Sequence, residues 1–200
     1  MGLDFDYISG QTPLDEEECD GLKISTISTK GELDEFEQKN IEQAVQWTIG
    51  RKIKIDSLLS EKFIRSLHQR MYGEVWKWAG VFRKSEKNIG FESWKISTDL
   101  RILLDDVKFC IKNESYPEDE IAIRFKHRIV SIHCFPNGNG RHSRLMADLI
   151  TEKIYHRKIF TWGQLNLNLS QTSDERSKYL LALKKADNGD FSDLISFARS

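Results

Sequence analysis

Proline and cysteine are both scarce in this chain of 200 residues. The three prolines stand at positions 13, 117 and 136 and leave long stretches without a helix breaker, which favours a mainly α fold. The three cysteines, Cys19, Cys110 and Cys134, are far apart and form no C-x-x-C pair. This odd, scattered set argues against a disulfide framework and a structural zinc site, and it favours a reducing compartment.

An excess of one charge and long apolar runs are also missing. Thirty basic residues almost cancel thirty-one acidic ones, for a formal net charge of -1. No strong field of one sign therefore indicates a nucleic-acid or membrane binder. No apolar run is long enough to span a bilayer, and the acidic start of the chain lacks the basic and apolar regions of a signal peptide. We expect a cytoplasmic protein with neither membrane nor nucleic acid as a direct partner.

Apolar residues recur at helical spacing over most of the chain. Thr29 followed by Glu32 matches a capping box at the start of a helix over about 32–49. The other predicted helices begin near 60 and 139 and cover about 98–113, 118–132, 172–187 and 190–198. Between 81 and 91, β-formers surround a polar centre, which predicts a short β-hairpin. We expect one mainly α domain, with residues 1–50 as an N-terminal arm and 51–200 as its core.

The segment from His133 to Arg144, HCFPNGNGRHSR, concentrates the residues suited to chemistry. The chain must turn at 138–140, between two predicted helices, and expose backbone N–H groups where the next helix starts, an arrangement that binds anions. Arg141 and Arg144 share one helix face and could engage two phosphate groups. The near-neutral pKa of a histidine suits His133 to the role of general base.

Each of these features also has a structural interpretation. A glycine-rich turn between helices is usually only a turn, and a histidine on an apolar face is usually packing. Arg141 and Arg144 could pair with an acid such as Asp148. Cys134 has apolar neighbours and is interpreted as packing rather than as a nucleophile. The order of histidine, turn and arginine pair in a single segment favours phosphate chemistry.

The same segment resembles the signature of the Fic family (Fic/Doc, or Fido), H-x-F-x-[DE]-G-N-G-R-x-x-R. Leu67–Arg83 is similar to the helix and W-A-G-x-x-R segment that precede this signature. Gly10–Leu14 and Tyr179–Ser200 resemble the Fic subgroup called mobile mystery protein B, so the resemblance covers nearly the whole chain. It implies a helical Fic domain, here residues 51–200, with a β-hairpin flap.

The resemblance implies transfer of AMP from ATP to a hydroxyl of a target protein. His133 would deprotonate a target Ser, Thr or Tyr, whose oxygen attacks the α-phosphate while pyrophosphate leaves. Arg141 would contact the departing phosphates, and Arg144 would hold the γ-phosphate. The anion cradle would consist of Gly138, Asn139 and Gly140. The flap that aligns the target by strand addition would contain Asn88, Ile89, Gly90 and Phe91. Relatives that act as phosphotransferases have lysine in place of Gly140, so the glycine favours AMP transfer.

Asn137 departs from the family pattern, which has Asp or Glu at this position to bind the Mg²⁺ that bridges two phosphates of ATP. An amide oxygen can coordinate Mg²⁺ or Mn²⁺ but brings no charge, so metal affinity is expected to fall. Two alternatives stay open. Either ATP supplies most of the metal ligands, or the chain is a nucleotide-binding module with weak or different phosphate-group transfer, acting in a toxin–antitoxin-like pair.

A regulatory motif is also implied by the resemblance. Ser28–Leu33 resembles the inhibitory motif [ST]-x-x-x-E-[GN] of some Fic proteins, except at Leu33. The resemblance implies that Glu32 pairs with Arg144 and blocks the productive γ-phosphate position. The other interpretation is that Glu32 only completes the capping box with Thr29, and the two roles are compatible. The subgroup resemblance further implies a small helix-turn-helix partner protein.

Overall fold

The computed structural model describes residues 14–87, 90–164 and 173–200. Its helices are α1 (Glu16–Cys19), α2 (Lys30–Thr48), α3 (Ile55–Leu58), α4 (Glu61–Tyr72), α5 (Ile96–Lys112), α6 (Glu118–Ile132), α7 (Asn139–Lys153), α8 (Ser173–Asp187) and α9 (Ser192–Arg199). Short 3₁₀ turns lie at Ser93–Lys95 and Trp162–Gln164. Within these ranges, no helix combines the length and the apolar character needed to cross a bilayer. The mainly α prediction is confirmed.

Local sequence signals explain where the helices begin. The Thr29 hydroxyl accepts the N–H of Glu32 at 3.2 Å, and the Glu32 carboxylate accepts the N–H of Thr29 at 3.0 Å, so α2 starts with a capping box. Helix α6 follows Pro117, and its first turn carries three acids that are favourable at the positive end of the helix dipole. Both starts agree with the sequence prediction.

The helices enclose one apolar core. Helix α6 packs against α5 and α7, α2 packs against α4, and α8 packs against α9. The most deeply buried apolar side chains include Ile41, Ile64, Leu67, Met71, Trp76, Phe125, Ile132, Phe135, Met146 and Ile150. Because these residues come from α2, α4, α6, α7 and the loops between them, the two helices that flank the 133–138 loop are held at the centre of the core.

The described part of the N-terminal arm lies over the segment that follows α4. Lys23 donates its N–H to the Val75 carbonyl at 2.9 Å, and Lys77 donates its N–H to Gly21 at 2.8 Å. An isolated antiparallel bridge pairs Leu22 with Trp76 between these two bonds. The arm therefore packs on the core, and a boundary between arm and core at residue 50 stays a prediction.

The β-hairpin predicted within 81–91 is not found, because the described residues of this segment contain no strand. Arg83 instead donates its N–H to the Cys134 carbonyl at 3.0 Å, and Phe91 donates its N–H to Ile132 at 3.5 Å. The Arg83 guanidinium also donates to the Phe91 carbonyl. The N–H groups of Arg83 and Phe91 are thus bonded to carbonyls at the end of α6 and just after it, and not to each other's segment as in a hairpin.

His68 joins α4 to the loop after α6. Its Nδ1 accepts the N–H of Gly80 at 3.0 Å, so the neutral ring carries its proton on Nε2, which donates to the Asn137 carbonyl at 3.0 Å. The ring also stacks on Phe135, with centroids 3.7 Å apart. Burial lowers the pKa of His68 well below its usual value and so keeps this neutral form. One side chain therefore fixes the loop against α4.

Replacement of His68 should destabilise the fold, and the loss of stability should grow with the number of its two hydrogen bonds that are removed. His68→Asn keeps an acceptor near Gly80, and His68→Gln keeps a donor near Asn137, so each loses one buried bond at a cost of about 1–3 kcal/mol. His68→Ala loses both bonds and the ring contact and should unfold most easily. Urea unfolding followed by circular dichroism measures the free energies.

Gln69→Ala provides the control, because Gln69 is the exposed neighbour of His68 on α4. This exposed substitution should change the free energy of unfolding by no more than about 0.5 kcal/mol. A His68→Ala variant as stable as this control would contradict the role of His68 as a clamp.

Candidate active site

His133 ends α6 in an unusual backbone conformation. Its φ of 56° and ψ of 61° lie in the left-handed region, which residues other than glycine rarely adopt. The Arg83 Nε donates to the His133 carbonyl at 2.6 Å and stabilises this conformation. A strained residue that the surrounding structure holds in place is a frequent feature of functional sites.

Burial controls the protonation of His133 and of Cys134 beside it. Desolvation, with a smaller contribution from the Arg83 and Lys87 charges, lowers the pKa of His133 to about 4, and a hydrogen bond with the Val130 carbonyl opposes this shift. His133 is therefore neutral at pH 7 and able to accept a proton. Burial raises the pKa of the Cys134 thiol to about 12, which agrees with packing rather than reactivity.

Gly90, one of the residues predicted to form a flap, lies directly against His133. A Cβ atom added to Gly90, which has a φ of 105°, would lie 2.6 Å from the Cβ of His133, so only glycine fits this approach. The Arg128 guanidinium lies over the Phe91 ring, 4.6 Å from its centroid. The other two predicted flap residues, Asn88 and Ile89, lie outside the described residues.

The first turn of α7 presents backbone N–H groups. Its first helical hydrogen bond runs from His142 to the Gly138 carbonyl at 2.9 Å, and the N–H groups of Asn139, Gly140 and Arg141 have no acceptor among the described residues. A Cβ atom at Gly140 would meet nothing within 4 Å, so the backbone borders open space there. Such N–H groups carry partial positive charge and favour an anion.

Gly138 sets the contact of the loop with α4. Its φ of 77° is left-handed, and a Cβ atom there would lie 2.5 Å from ring atoms of Tyr72. Both the conformation and the contact therefore require glycine. The Tyr72 hydroxyl is 3.5 Å from the Gly138 carbonyl.

The side chain of Asn139 closes the loop rather than facing a ligand. Its Oδ1 accepts the N–H of Phe135 at 3.0 Å, and its Nδ2 donates to the Phe135 carbonyl at 2.7 Å. The residue is 5% exposed. Asn139 can therefore contribute to an anion cradle through its backbone N–H, while its side chain holds the turn in shape.

Asn137 lies where the family resemblance implies a metal ligand. Its amide oxygen accepts the N–H of Gly138 at 2.6 Å, so the side chain is turned toward its own loop. In the ranges that the structure describes, no group of three or more His, Cys, Asp or Glu side chains could hold a metal ion. Mg²⁺ prefers carboxylate and phosphate oxygens, whereas the Asn137 side chain offers a neutral amide oxygen that already accepts a hydrogen bond.

Arg141 is held by residues from outside the loop. Its Nη2 lies 2.5 Å from the Glu37 Oε2, and the other oxygen of Glu37 accepts the Trp76 Nε1–H at 2.7 Å. The guanidinium lies over the Tyr72 ring, 5.2 Å from its centroid. Burial lowers the pKa of Arg141, but Glu37, Tyr72 and Asp34 together raise it by more, so the net shift is upward and the charge is retained. The side chain keeps 17% exposure.

Arg144 is more deeply buried than Arg141. The residue is 2% exposed, because α7 is covered along most of its length. Burial lowers the pKa of Arg144, and Tyr179, Tyr72 and Asp148 are among its charged or titratable neighbours. That Arg141 and Arg144 engage two different phosphate groups stays a prediction, as does contact of Arg144 with a γ-phosphate.

Glu32 does not form the predicted pair with Arg144 in this structure. Its carboxylate accepts the N–H groups of Ser28 and Thr29 at 2.8 and 3.0 Å. These bonds lower the pKa of Glu32 and hold it in the capping box at the exposed start of α2. The capping interpretation describes this conformation, and an inhibitory role of Glu32 stays a prediction.

The sequence interpretation missed Glu37 and His68 as residues that support the site. Glu37 stands between Leu33 and Ile41 at spacings of four, on the buried face of α2. His68 lies four residues after Ile64 on the buried face of α4. A polar residue at a buried helical position needs a partner, and this signal was present in the sequence.

Comparison with known proteins identifies the relatives of this chain. Residues 58–151 match the model of the Fic/DOC family. The protein adenylyltransferase Fic of Drosophila virilis is 28% identical over 141 residues, which are 68% of this chain and 27% of that protein. The Drosophila melanogaster protein of the same name is 28% identical over 149 residues, covering 72% and 28%. The chain thus spans about a quarter of the length of these relatives.

Solved structures share the fold. Fic-1 from C. elegans superposes with a TM-score of 0.59 at 21% identity, covering 80% of this chain and 45% of that one. The N-terminal Fic domain of a VirB-translocated Bep effector protein from Bartonella quintana, solved with bound ADP, gives a TM-score of 0.66 at 14% identity and covers 88% and 86%. Residues 58–151, which include the signature from His133 to Arg144, thus match the Fic/DOC family model, and these solved Fic structures share the fold of the chain.

Proposed function

We propose that this chain is a protein adenylyltransferase that moves AMP from ATP to a hydroxyl side chain of a target protein. The observation that carries the proposal is the position of His133 relative to the start of α7. The 133–138 loop joins this buried, neutral histidine to backbone N–H groups that have no acceptor among the described residues. The similarity to the Drosophila proteins named protein adenylyltransferase Fic supports the same activity.

His133 acts as the general base. The target hydroxyl gives its proton to a ring nitrogen of His133, and its oxygen forms a bond to the α-phosphorus of ATP. The bond from that phosphorus to the bridging oxygen of the β-phosphate breaks, and pyrophosphate leaves with the electron pair. A ring N–H that donates to the Val130 carbonyl leaves the other ring nitrogen to accept the proton.

The first turn of α7 binds the phosphates. The N–H groups of Asn139, Gly140 and Arg141 point their partial positive charge at the anion, and the Arg141 guanidinium adds a full charge. These groups are fixed before the reaction starts, so they stabilise the charge that grows on the leaving pyrophosphate at little reorganisation cost. Arg144 would hold the γ-phosphate, as the family resemblance implies.

In this proposal Mg²⁺ or Mn²⁺ is bound by the phosphates of ATP. The amide of Asn137 is neutral and is bonded to Gly138, so no step is assigned to a metal held by the protein. The same observation favours a second candidate function, a nucleotide-binding module with weak or different phosphate-group transfer. That module would act in a toxin–antitoxin-like pair.

The finer parts of the proposal rest on the family and subgroup resemblance. The target residue would be Ser, Thr or Tyr, and the flap at 88–91 would align it beside His133. Membership of the mobile mystery protein B subgroup would bring a small helix-turn-helix partner protein. Autoinhibition through Glu32 would need a second conformation in which its carboxylate leaves Ser28 and Thr29 and reaches Arg144.

Labelled ATP tests the activity. The purified chain, incubated with cell lysate, Mg²⁺ and ATP labelled at the α-phosphate, should label a protein band, because AMP carries that phosphate to the target. His133→Ala should abolish the band by removing the base, whereas His127→Ala, outside the loop, should retain it. ATP labelled at the γ-phosphate should give no band that depends on His133, since kinases in the lysate label proteins in both samples, and mass spectrometry should find the added mass of AMP.

Two variants decide between the candidate functions. Asn137→Asp should increase labelling if a missing carboxylate limits metal binding, and Glu32→Gly should increase it if Glu32 inhibits. The adenylyltransferase proposal fails if the wild type, Asn137→Asp and Glu32→Gly all give no more label than His133→Ala. Binding of ATP in calorimetry together with that result would favour the nucleotide-binding module.

The burial of His133 predicts an unusual pH dependence. A solvated histidine gains a proton as the pH falls through about 6.5 and stops acting as a base. The lowered pKa of His133, about 4, keeps it neutral, so kcat/KM for ATP should show no acid limb between pH 7.5 and 5.5. Initial rates in that range measure it, and an acid limb near pH 6.5 would mean that the active base is solvated.

A further inference from the structure

Glu37 connects α2 to the anion site from outside the family segment. It lies upstream of residues 58–151, which match the family model. Its two carboxylate oxygens have different partners, the Arg141 Nη2 at 2.5 Å and the Trp76 Nε1–H at 2.7 Å. The Glu37 side chain is 4% exposed. A buried carboxylate with a charged and a neutral donor, one on each oxygen, has little freedom to turn.

Helix α2 is itself fixed on α4 next to this contact. The Asn40 Nδ2 donates to the Arg70 carbonyl at 2.9 Å, and the Asn40 Oδ1 accepts the N–H of Glu74 at 3.0 Å. Asn40 is buried and lies three residues after Glu37 on the same face. These two bonds hold α2 at the end of α4, so Glu37 approaches Arg141 from a rigid support.

We propose that Glu37 is a positioning residue that holds the Arg141 guanidinium in its phosphate-binding orientation, with Trp76 holding Glu37 in turn. The proposal rests on the proposed function, since it assigns the geometry of the same anion site. In this proposal the site includes α2 and the segment after α4 in addition to the 133–144 signature.

The geometry favours a role for Glu37 in positioning Arg141 over a role in blocking it from a phosphate. Within the described ranges, the bond to Glu37 uses Nη2 of Arg141, and the other N–H groups of the guanidinium have no acceptor among these residues and are available to a phosphate. The Arg141 side chain is more exposed than that of Glu37, 17% against 4%, so the carboxylate lies on the inner side of the pair. The Tyr72 ring, 5.2 Å from the guanidinium, limits its movement further. An arginine held in this way loses less freedom when it binds an anion.

The indole N–H of Trp76 gives a direct readout that does not need catalysis. In a ¹⁵N spectrum of the five tryptophans, Trp76→Phe identifies the Trp76 signal by its disappearance. Inorganic pyrophosphate should shift this signal in the wild type, because a phosphate on Arg141 alters the charge that Glu37 feels. The shift should be lost in Glu37→Gln. Glu35→Gln, an exposed neighbour on α2, should behave like the wild type.

Kinetics separate positioning from a merely structural role. Glu37→Gln keeps the size of the side chain but removes its charge, so Arg141 loses its fixed orientation and kcat should fall about tenfold or more. KM for ATP should change by a smaller factor, because the backbone N–H groups of α7 still bind the phosphates. Glu37→Gln combined with Arg141→Lys should be no slower than Arg141→Lys alone, since Glu37 acts through Arg141.

The outcomes distinguish this proposal from the proposed function. Pyrophosphate that fails to bind the wild type in calorimetry would contradict the anion site itself. Pyrophosphate that binds without moving the Trp76 signal would overturn the role of Glu37 and leave the anion site standing. A kcat that rises in Glu37→Gln would mean that Glu37 competes with phosphate, and a kcat equal to that of Glu35→Gln would mean that it has no role in transfer. Either result overturns the proposal.

Discussion

The reversal of the chain between α6 and α7 is the constraint on which the rest of the site depends. His133 ends α6 with a left-handed φ of 56°, and Gly138 opens α7 with a left-handed φ of 77°. A left-handed residue other than glycine costs about 1–3 kcal/mol, so neighbouring groups must stabilise His133. Arg83 does so by donating to its carbonyl at 2.6 Å. The reversal joins a neutral histidine to the N-terminus of a helix through one short loop.

Three side chains from outside the 133–144 signature give this loop its shape. Arg83 holds the carbonyl of His133, His68 holds the carbonyl of Asn137, and Glu37 holds the guanidinium of Arg141. All three are buried, and each comes from a different part of the chain. Because buried polar groups are expensive without partners, these contacts make the geometry of the loop depend on the packing of α2 and α4. The signature contains the residues proposed to act in transfer, and the surrounding segments fix their geometry.

The charged groups around the loop differ from those that the Fic signature implies. Asn137 removes the carboxylate that the family signature has at this position, while Glu37 brings a carboxylate to Arg141 from α2. A carboxylate therefore lies beside the start of α7, but it forms an ion pair with Arg141 and does not lie at position 137, where the signature implies a metal ligand. The electrostatic potential at the proposed phosphate site therefore depends on α2 as well as on the loop.

The sequence by itself determined the mainly α fold, most helix positions and the order of histidine, turn and arginines, because helical periodicity, capping residues and short motifs are local signals. It led to Glu32 as the acid of α2 that reaches the signature, and to a hairpin within 81–91. Only the tertiary structure decided that Glu32 caps its own helix, that Glu37 reaches Arg141, that Arg144 is buried and that the described part of 81–91 pairs with the end of α6. These outcomes depend on which helix faces meet across the core, and contacts between residues far apart in sequence leave no local pattern to read.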